Sequence, residues 1–212
     1  MNQLVYEFGL LISDHCLIRQ TLSILCNLNR ISAELERTWN FFVFSYSAGK
    51  GWEDNMQKIA VFDTVEHFWS ILTHTLPPSE IMNGTDIYIF KDGIQPMWED
   101  ERNRNGGRWL INVPHIEMLD TYWEELLMLI IGNDWETEAE SEQICGAVFQ
   151  RRARGPKISL WTSDAEDEAT VMRIGRRVKD RLKFPDRLSF QTVYQQQNVP
   201  KGRDSGEGKY FV

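Results

Sequence analysis

The 212-residue chain lacks the features that mark several large functional classes. Its three cysteines, Cys16, Cys26 and Cys145, form no Cys-x-x-Cys pair, so neither a disulfide framework nor a cysteine zinc site is indicated, and a reducing compartment is expected. Its four histidines show no metal-ligand spacing, and there is neither a glycine-rich phosphate loop nor a nucleophile paired with a base. No apolar run is long enough for a bilayer: Leu10, Leu11 and Ile12 are bracketed by Glu7 and Asp14 and follow no basic start, so no signal peptide or membrane segment is expected. Positive charge is also short. With 23 Lys and Arg against 31 Asp and Glu, the net charge is −8, which argues against a protein that grips nucleic acid indiscriminately along its backbone.

Aromatic residues, by contrast, are abundant, with 8 Trp and 11 Phe in a chain whose length suits one domain with a substantial core. A buried indole N–H needs a partner, so this many tryptophans point to some that serve as stacking surfaces, while about two thirds are expected in or near the core. The charges are segregated. Arg151, Arg152, Arg154 and Lys157 form a basic cluster, and Glu136, Glu138, Glu140 and Glu142 an acidic run before it. An acidic body with one basic pocket favours a small anionic ligand over a long duplex.

Hydrophobic periodicity predicts an α+β fold with helices on one face of a largely antiparallel sheet. Asp63-Thr64-Val65-Glu66 reads as an N-cap with a carboxylate three residues on, opening a helix with Val65, Phe68, Trp69 and Leu72 on one face that ends before Pro77-Pro78. A second stripe runs from Leu119 through Ile130 and closes near Gly132. A third starts at Ser163 or Asp164 and carries Val171, Ile174, Val178 and Leu182. Strands are expected at Trp39 to Tyr46, Ile87 to Phe90, Arg108 to Val113, Ile144 to Gln150, Lys157 to Trp161 and Leu188 to Tyr194. Residues 1–35 read as a divergent extension with a helical pattern at Leu17 to Leu28. Residues 36–212 read as one domain, with a mobile, Gln- and Gly-rich segment at 195–209.

Residues 96–109, Pro-Met-Trp-Glu-Asp-Glu-Arg-Asn-Arg-Asn-Gly-Gly-Arg-Trp, carry the chemistry. Trp52, beside Gly51, and Trp98, after the Gly93 to Pro96 turn, are expected in loops and are therefore poorly placed for the core. Two such rings can stack on both faces of one base, at roughly 1–3 kcal/mol per stacked base, and a positive charge on that base adds up to ~2 kcal/mol. Glu99 can accept both donors of a guanine Watson–Crick edge, which adenine lacks.

These residues also carry a resemblance. Phe62-Asp-Thr-Val-Glu-His-Phe-Trp69, Phe90-Lys-Asp-Gly-Ile-Gln-Pro-Met-Trp-Glu-Asp100, Gly106-Gly-Arg-Trp109 and Ile144-Cys-Gly-Ala-Val148 resemble the translation initiation factor 4E family of mRNA cap-binding proteins, from about residue 38 to the C-terminus. The resemblance implies that the sheet is curved and backed by three helices, and that the protein is a non-enzymatic, cytoplasmic, RNA-binding regulator of protein biosynthesis. It would act as a monomer, without a cofactor, and take the 7-methylguanosine triphosphate cap of mRNA to the initiation machinery. Trp52 and Trp98 match the tryptophans that sandwich the methylated base, Glu99 its reader and the Trp98 backbone N–H the donor to O6. Arg108, Arg152 and Lys157 match phosphate contacts, and Trp161 the tryptophan near the N7 methyl. Val65, Trp69, Glu125 and Gly132 match a dorsal site for a scaffold factor or translational repressor bearing a Tyr-x-x-x-x-Leu-hydrophobic motif.

The sequence departs from the family pattern at Ala33-Glu34-Leu35, where the family has His-Pro-Leu, at Glu124, where an apolar residue is common, and at Asp204-Ser205, near the family's phosphorylatable serine. These departures frame an alternative: a paralogue that binds caps but represses or sequesters selected mRNAs. A third reading, of another class, is a metal-assisted nucleotide hydrolase built on Glu99, Asp100 and Glu101.

Overall fold

The computed structural model describes residues 32–197 and 208–212, apart from positions 48, 50 and 114. The helical pattern at Leu17 to Leu28 and the Asp204-Ser205 pair lie outside the described residues. Eight strands form one sheet: β1 Glu34–Ser45, β2 Met56–Thr64, β3 Thr85–Lys91, β4 Gly107–Asn112, β5 Ile144–Arg152, β6 Gly155–Thr162, β7 Ser189–Thr192 and β8 Tyr210–Phe211. Their spatial order is β2-β1-β3-β5-β6-β4-β7-β8, and every pairing among the described residues is antiparallel. Register shifts between Phe41 and Phe42 and between Ile144 and Gly146 add local twist to a curved sheet.

Alternation along each strand sends one set of side chains to a helix-covered face and the other to an open, concave face. Phe41, Ile87, Ile89, Ala147, Phe149, Ile158, Leu160, Trp109 and Ile111 join the main core with residues of the helices α2 Val65–His74, α3 Leu119–Ile131 and α5 Glu168–Leu182. Phe42, Tyr88, Phe90, Cys145, Val148 and Trp161 form a second cluster on the other side. Three short helices, α1 Trp52–Asn55, α4 Glu138–Gln143 and α6 Val193–Gln197, complete the set. The Trp109 indole is fully buried and donates its N–H to the Val171 carbonyl of α5 at 3.1 Å. This close approach of α5 requires Gly175, because a Cβ there would collide with the Trp109 ring.

Several elements differ from the sequence reading. The α2 cap is Thr64, which accepts from His67 N at 3.2 Å, while Glu66 accepts from Ala33 N at 3.1 Å. The third long helix begins at Glu168, capped by Asp167, because Asp164 is engaged in a turn through Glu166 N. Trp52 opens the one-turn helix α1 and is not in a loop. β2 was not anticipated, since it is an edge strand whose Gln57, Lys58, Ile59 and Val61 face solvent without clean alternation. The predicted last strand ends at Thr192, and Val193–Gln197 turn into α6. Of the segment expected to be mobile, Gln195 to Gln197 lie in α6 and Lys209 is tied to Glu166 at 2.6 Å. Among the described residues, no helix is long and apolar enough to cross a membrane.

Candidate functional site

The concave face gathers the chemistry because cross-strand registers align its side chains in rows. Arg108 lies opposite Trp161, which lies opposite Gly146, which faces Phe90. Two rows further along the same face, Asn112, Lys157, Gln150 and Asp86 stand side by side across β4, β6, β5 and β3. Arg152 projects from the same face at the end of β5.

Trp98 and Glu99 ride on a loop that is internally braced. Asn103, 1% exposed, donates to the carbonyls of Gln95 and Met97, both at 2.8 Å. Asp100 accepts from Gln95 N at 2.8 Å and Arg102 N at 2.9 Å, so it is occupied in holding the loop. The Gly-Gly pair allows backbone contact. A Cβ on Gly106 would collide with the Thr162 carbonyl, and one on Gly107 would lie 2.5 Å from the Phe190 ring. These approaches deliver Arg108 into register with Trp161, and its guanidinium sits over the Trp98 ring at 5.5 Å.

Both proposed stacking tryptophans rest on other aromatic rings. Trp98 is stacked on the buried Trp161 at 3.9 Å and 14°, and Trp161 meets the edge of Phe90 at 5.5 Å. Trp52, 40% exposed, lies near-parallel to Phe44 at 6.3 Å. Phe44 and Trp98 both pack against the aromatic cluster of the open face. Glu99 is exposed beside Trp98. Of the eight tryptophans, Trp39, Trp109, Trp123 and Trp161 are buried, Trp69, Trp98 and Trp135 are partly buried against the two clusters, and Trp52 is exposed.

A polar network behind the basic residues was missed in the sequence. Asp86, 2% exposed, accepts from the Arg152 guanidinium, including Nη2 at 2.7 Å, from the Tyr88 hydroxyl at 3.1 Å and from Gln150 Nε2 at 3.1 Å. Burial, reinforced by Asp86, pushes the Tyr88 phenol well above its ordinary range, so it remains a neutral donor. The hydrogen bond to Asp86 raises the Arg152 pKa and keeps that cation charged. The period-two pattern Asp86, Tyr88, Phe90 was the available signal. Asp86→Ala leaves the Tyr88 hydroxyl and Arg152 without their acceptor. Because Arg152 is 42% exposed and water replaces part of the pair, the expected loss is about 2 kcal/mol. Differential scanning calorimetry should show this as a Tm lower by about 4–8 °C.

The acidic run does not adjoin the basic cluster in function. Glu140, 1% exposed, pairs with Arg173 at 2.6 Å, and Glu138 and Glu142 pair with Arg37. Burial pushes the Cys145 thiol up to about 12, which leaves it unreactive. Among the described residues, no group of three His, Cys, Asp or Glu side chains is placed to hold a metal ion.

The helix-covered side carries the second predicted site. Val65 and Trp69 lie on α2, Glu125 on α3 and Gly132 at its C-cap, where the Gly132 N–H bonds the Met128 carbonyl. Glu125 is bound to Arg181 of α5 at 2.8 Å. The end of α2 and the start of α3 border a recess of about 250 Å³ over Phe41, Ile87 and Ile89, with Glu124 at its edge.

Residues 34–208 match the family described as eukaryotic initiation factor 4E. The chain belongs to that family. The initiation factor 4E of Xenopus laevis is 42% identical over 185 residues, which span 86% of each chain. The Homo sapiens protein is 41% identical over 185 residues, 86% of this chain and 84% of that one. Among solved structures, a schistosome initiation factor 4E complexed with m7GpppA and 4E-BP superposes with a TM-score of 0.83 at 47% identity, covering 86% of this chain and all (100%) of that chain. Caenorhabditis elegans initiation factor 4E-3, with the binding protein Mextli and a cap analogue, gives 0.76 at 39% identity, over 81% of this chain and 98% of that one. The initiation factor 4E match begins at Glu34, where β1 also begins.

Proposed function

We propose that this chain is a non-enzymatic cap-binding protein that carries mRNA to the initiation machinery through a scaffold partner. What supports the reading is that Trp98, Arg108 and Trp161 meet on the open face of the sheet, with Arg152 and Lys157 further along the same face and Trp52 stacked on Phe44 of the same aromatic cluster. A guanine bearing the N7 methyl group is cationic, and it inserts between the two indoles. Glu99 accepts from its N1–H and N2–H₂, and the Trp98 N–H donates to O6. Arg108, Arg152 and Lys157 meet the triphosphate, and Trp161 meets the methyl group once Trp98 turns off the Trp161 face on which it rests. Methylation supplies the discrimination, because the charge it adds strengthens stacking on electron-rich rings.

Residues 36–212 form the cap-binding unit in this reading, residues 1–35 an extension, and the protein works in the cytoplasm as a monomer. The groove at Val65, Trp69, Glu125 and Gly132 receives a helix of the Tyr-x-x-x-x-Leu-hydrophobic kind. The relatives solved with 4E-BP and with Mextli support partner docking. The sequestering paralogue has no observation of its own.

Tryptophan fluorescence titration tests cap binding. Saturable quenching is expected with 7-methyl-GTP, at an affinity about 30-fold above that for GTP, the equivalent of ~2 kcal/mol of cation–π stabilisation. Equal affinities reject the assignment.

A further inference from the structure

We propose that the chain's own residues 6–12 occupy the groove between α2 and α3 in cis and compete there with partner proteins, a regulation that rests on the partner site assigned above. The segment reads Tyr6-Glu7-Phe8-Gly9-Leu10-Leu11-Ile12, a Tyr-x-x-x-x-Leu-hydrophobic sequence, and Leu4, Val5, Phe8, Leu11 and Ile12 recur at the spacing of one helical face. The same spacing recurs at Tyr122 to Met128, but Tyr122, Leu127 and Met128 are buried in α3 and unavailable. Tyr6 to Ile12 is therefore the copy with access to the groove.

The point of attachment places the segment at its target. Ala33 N donates to Glu66 Oε1 at 3.1 Å, and Ala33 O accepts from the N–H of Val65 at 2.9 Å, so the chain enters the fold against the first turn of α2. Val65 is itself one of the groove residues. The intervening residues 13–32 number about twenty, with an r.m.s. span of ~25 Å if flexible. Helices the length of α2 and α3 measure only ~15–20 Å, so the tether reaches any point along the groove without being stretched. A tether of this kind presents its segment at an effective concentration on the order of 1 mM.

One turn beyond Trp69 and beside Glu125, a recess between the end of α2 and the start of α3 extends the partner site with an apolar seat lined by Leu72, Leu76, Trp123, Phe41 and Ile87, and Glu124 also lines it. A carboxylate there weakens any docked apolar helix, and weak docking affects a free partner more than a tethered segment. At an intrinsic Kd of about 100 µM, a tether of ~1 mM keeps the groove ~90% filled and lowers the affinity of a competitor about tenfold.

The test compares the full-length chain with its Tyr6→Ala/Leu11→Ala variant, using a fluorescein-labelled synthetic peptide of residues 3–15 and fluorescence anisotropy. The variant should bind the peptide about tenfold more tightly than the unaltered chain, and adding Trp69→Ala should remove that binding. Quenching by 7-methyl-GTP should be retained by all three proteins, which shows that each is folded. Equal peptide affinity for the two chains overturns the proposal and leaves the partner site standing. Absence of binding by both, with 7-methyl-GTP binding intact, overturns the partner site and this proposal together. A blockade that strengthens as protein concentration rises assigns the segment to a second copy and overturns the intramolecular form.

Discussion

Trp98→Ala should lower the affinity for 7-methyl-GTP by about 100- to 1000-fold in the fluorescence titration. The substitution removes one of the two stacking faces, at ~1–3 kcal/mol, together with that ring's share of the cation–π attraction, up to ~2 kcal/mol. A combined loss of about 3–4 kcal/mol corresponds to this range. The structure adds a further contribution, since Trp98 is stacked on Trp161 at 3.9 Å and lies under the Arg108 guanidinium. Without the ring, the floor of the base site and the first phosphate contact both lose their support. Trp98→Phe separates the two roles: it keeps an aromatic face and should retain a measurable part of the affinity. If Trp98→Ala binds 7-methyl-GTP within threefold of the unaltered protein, the base lies elsewhere.

Gly146→Val should destabilise the fold by about 3 kcal/mol and lower Tm by about 6–12 °C in calorimetry. A Cβ at Gly146 would lie 2.6 Å from the Phe90 ring and closer still to the Ile89 carbonyl, on the strand directly paired with it. The obstacle is backbone as well as side chain, so a rotamer change cannot relieve it. The consequence also reaches the base site, because Phe90 meets Trp161 edge-on and Trp161 carries Trp98. A reduced affinity for 7-methyl-GTP in the surviving folded fraction is therefore expected alongside the lower Tm. A stable Gly146→Val with unchanged binding would show that β3 and β5 can separate locally at no cost to the site.

Much of the fold was legible because the long helices carry their own signals. The stripes beginning at Val65 and Leu119 gave helices whose ends agree closely with Val65–His74 and Leu119–Ile131, since strong periodicity and a breaker or Gly132 cap bound them. The third helix started late because two Asp residues competed as caps, and hydrogen-bond geometry, which composition does not reveal, selected Asp167 over Asp164. β2 was missed because an edge strand is stabilised by its partner β1 more than by its own pattern. Glu99, Asp100 and Glu101 read alike in sequence, yet Asp100 serves as an acceptor inside the loop, and that role is set by two backbone N–H groups.

The sequence alone set the expectation about the kind of ligand. The types Trp, Trp, Glu and Arg define a surface for a charged, flat base with phosphate, whatever the path of the chain between them. It also determined the alternation that turns Arg108, Arg152, Lys157 and Trp161 to one side of their strands. Only the tertiary structure decided which of these side chains become neighbours, because strand order and register are set by packing across the whole sheet. That packing placed Trp98 on Trp161, gave Arg152 to the buried Asp86, and brought the chain into the fold beside α2, against the groove that Tyr6 to Ile12 can reach.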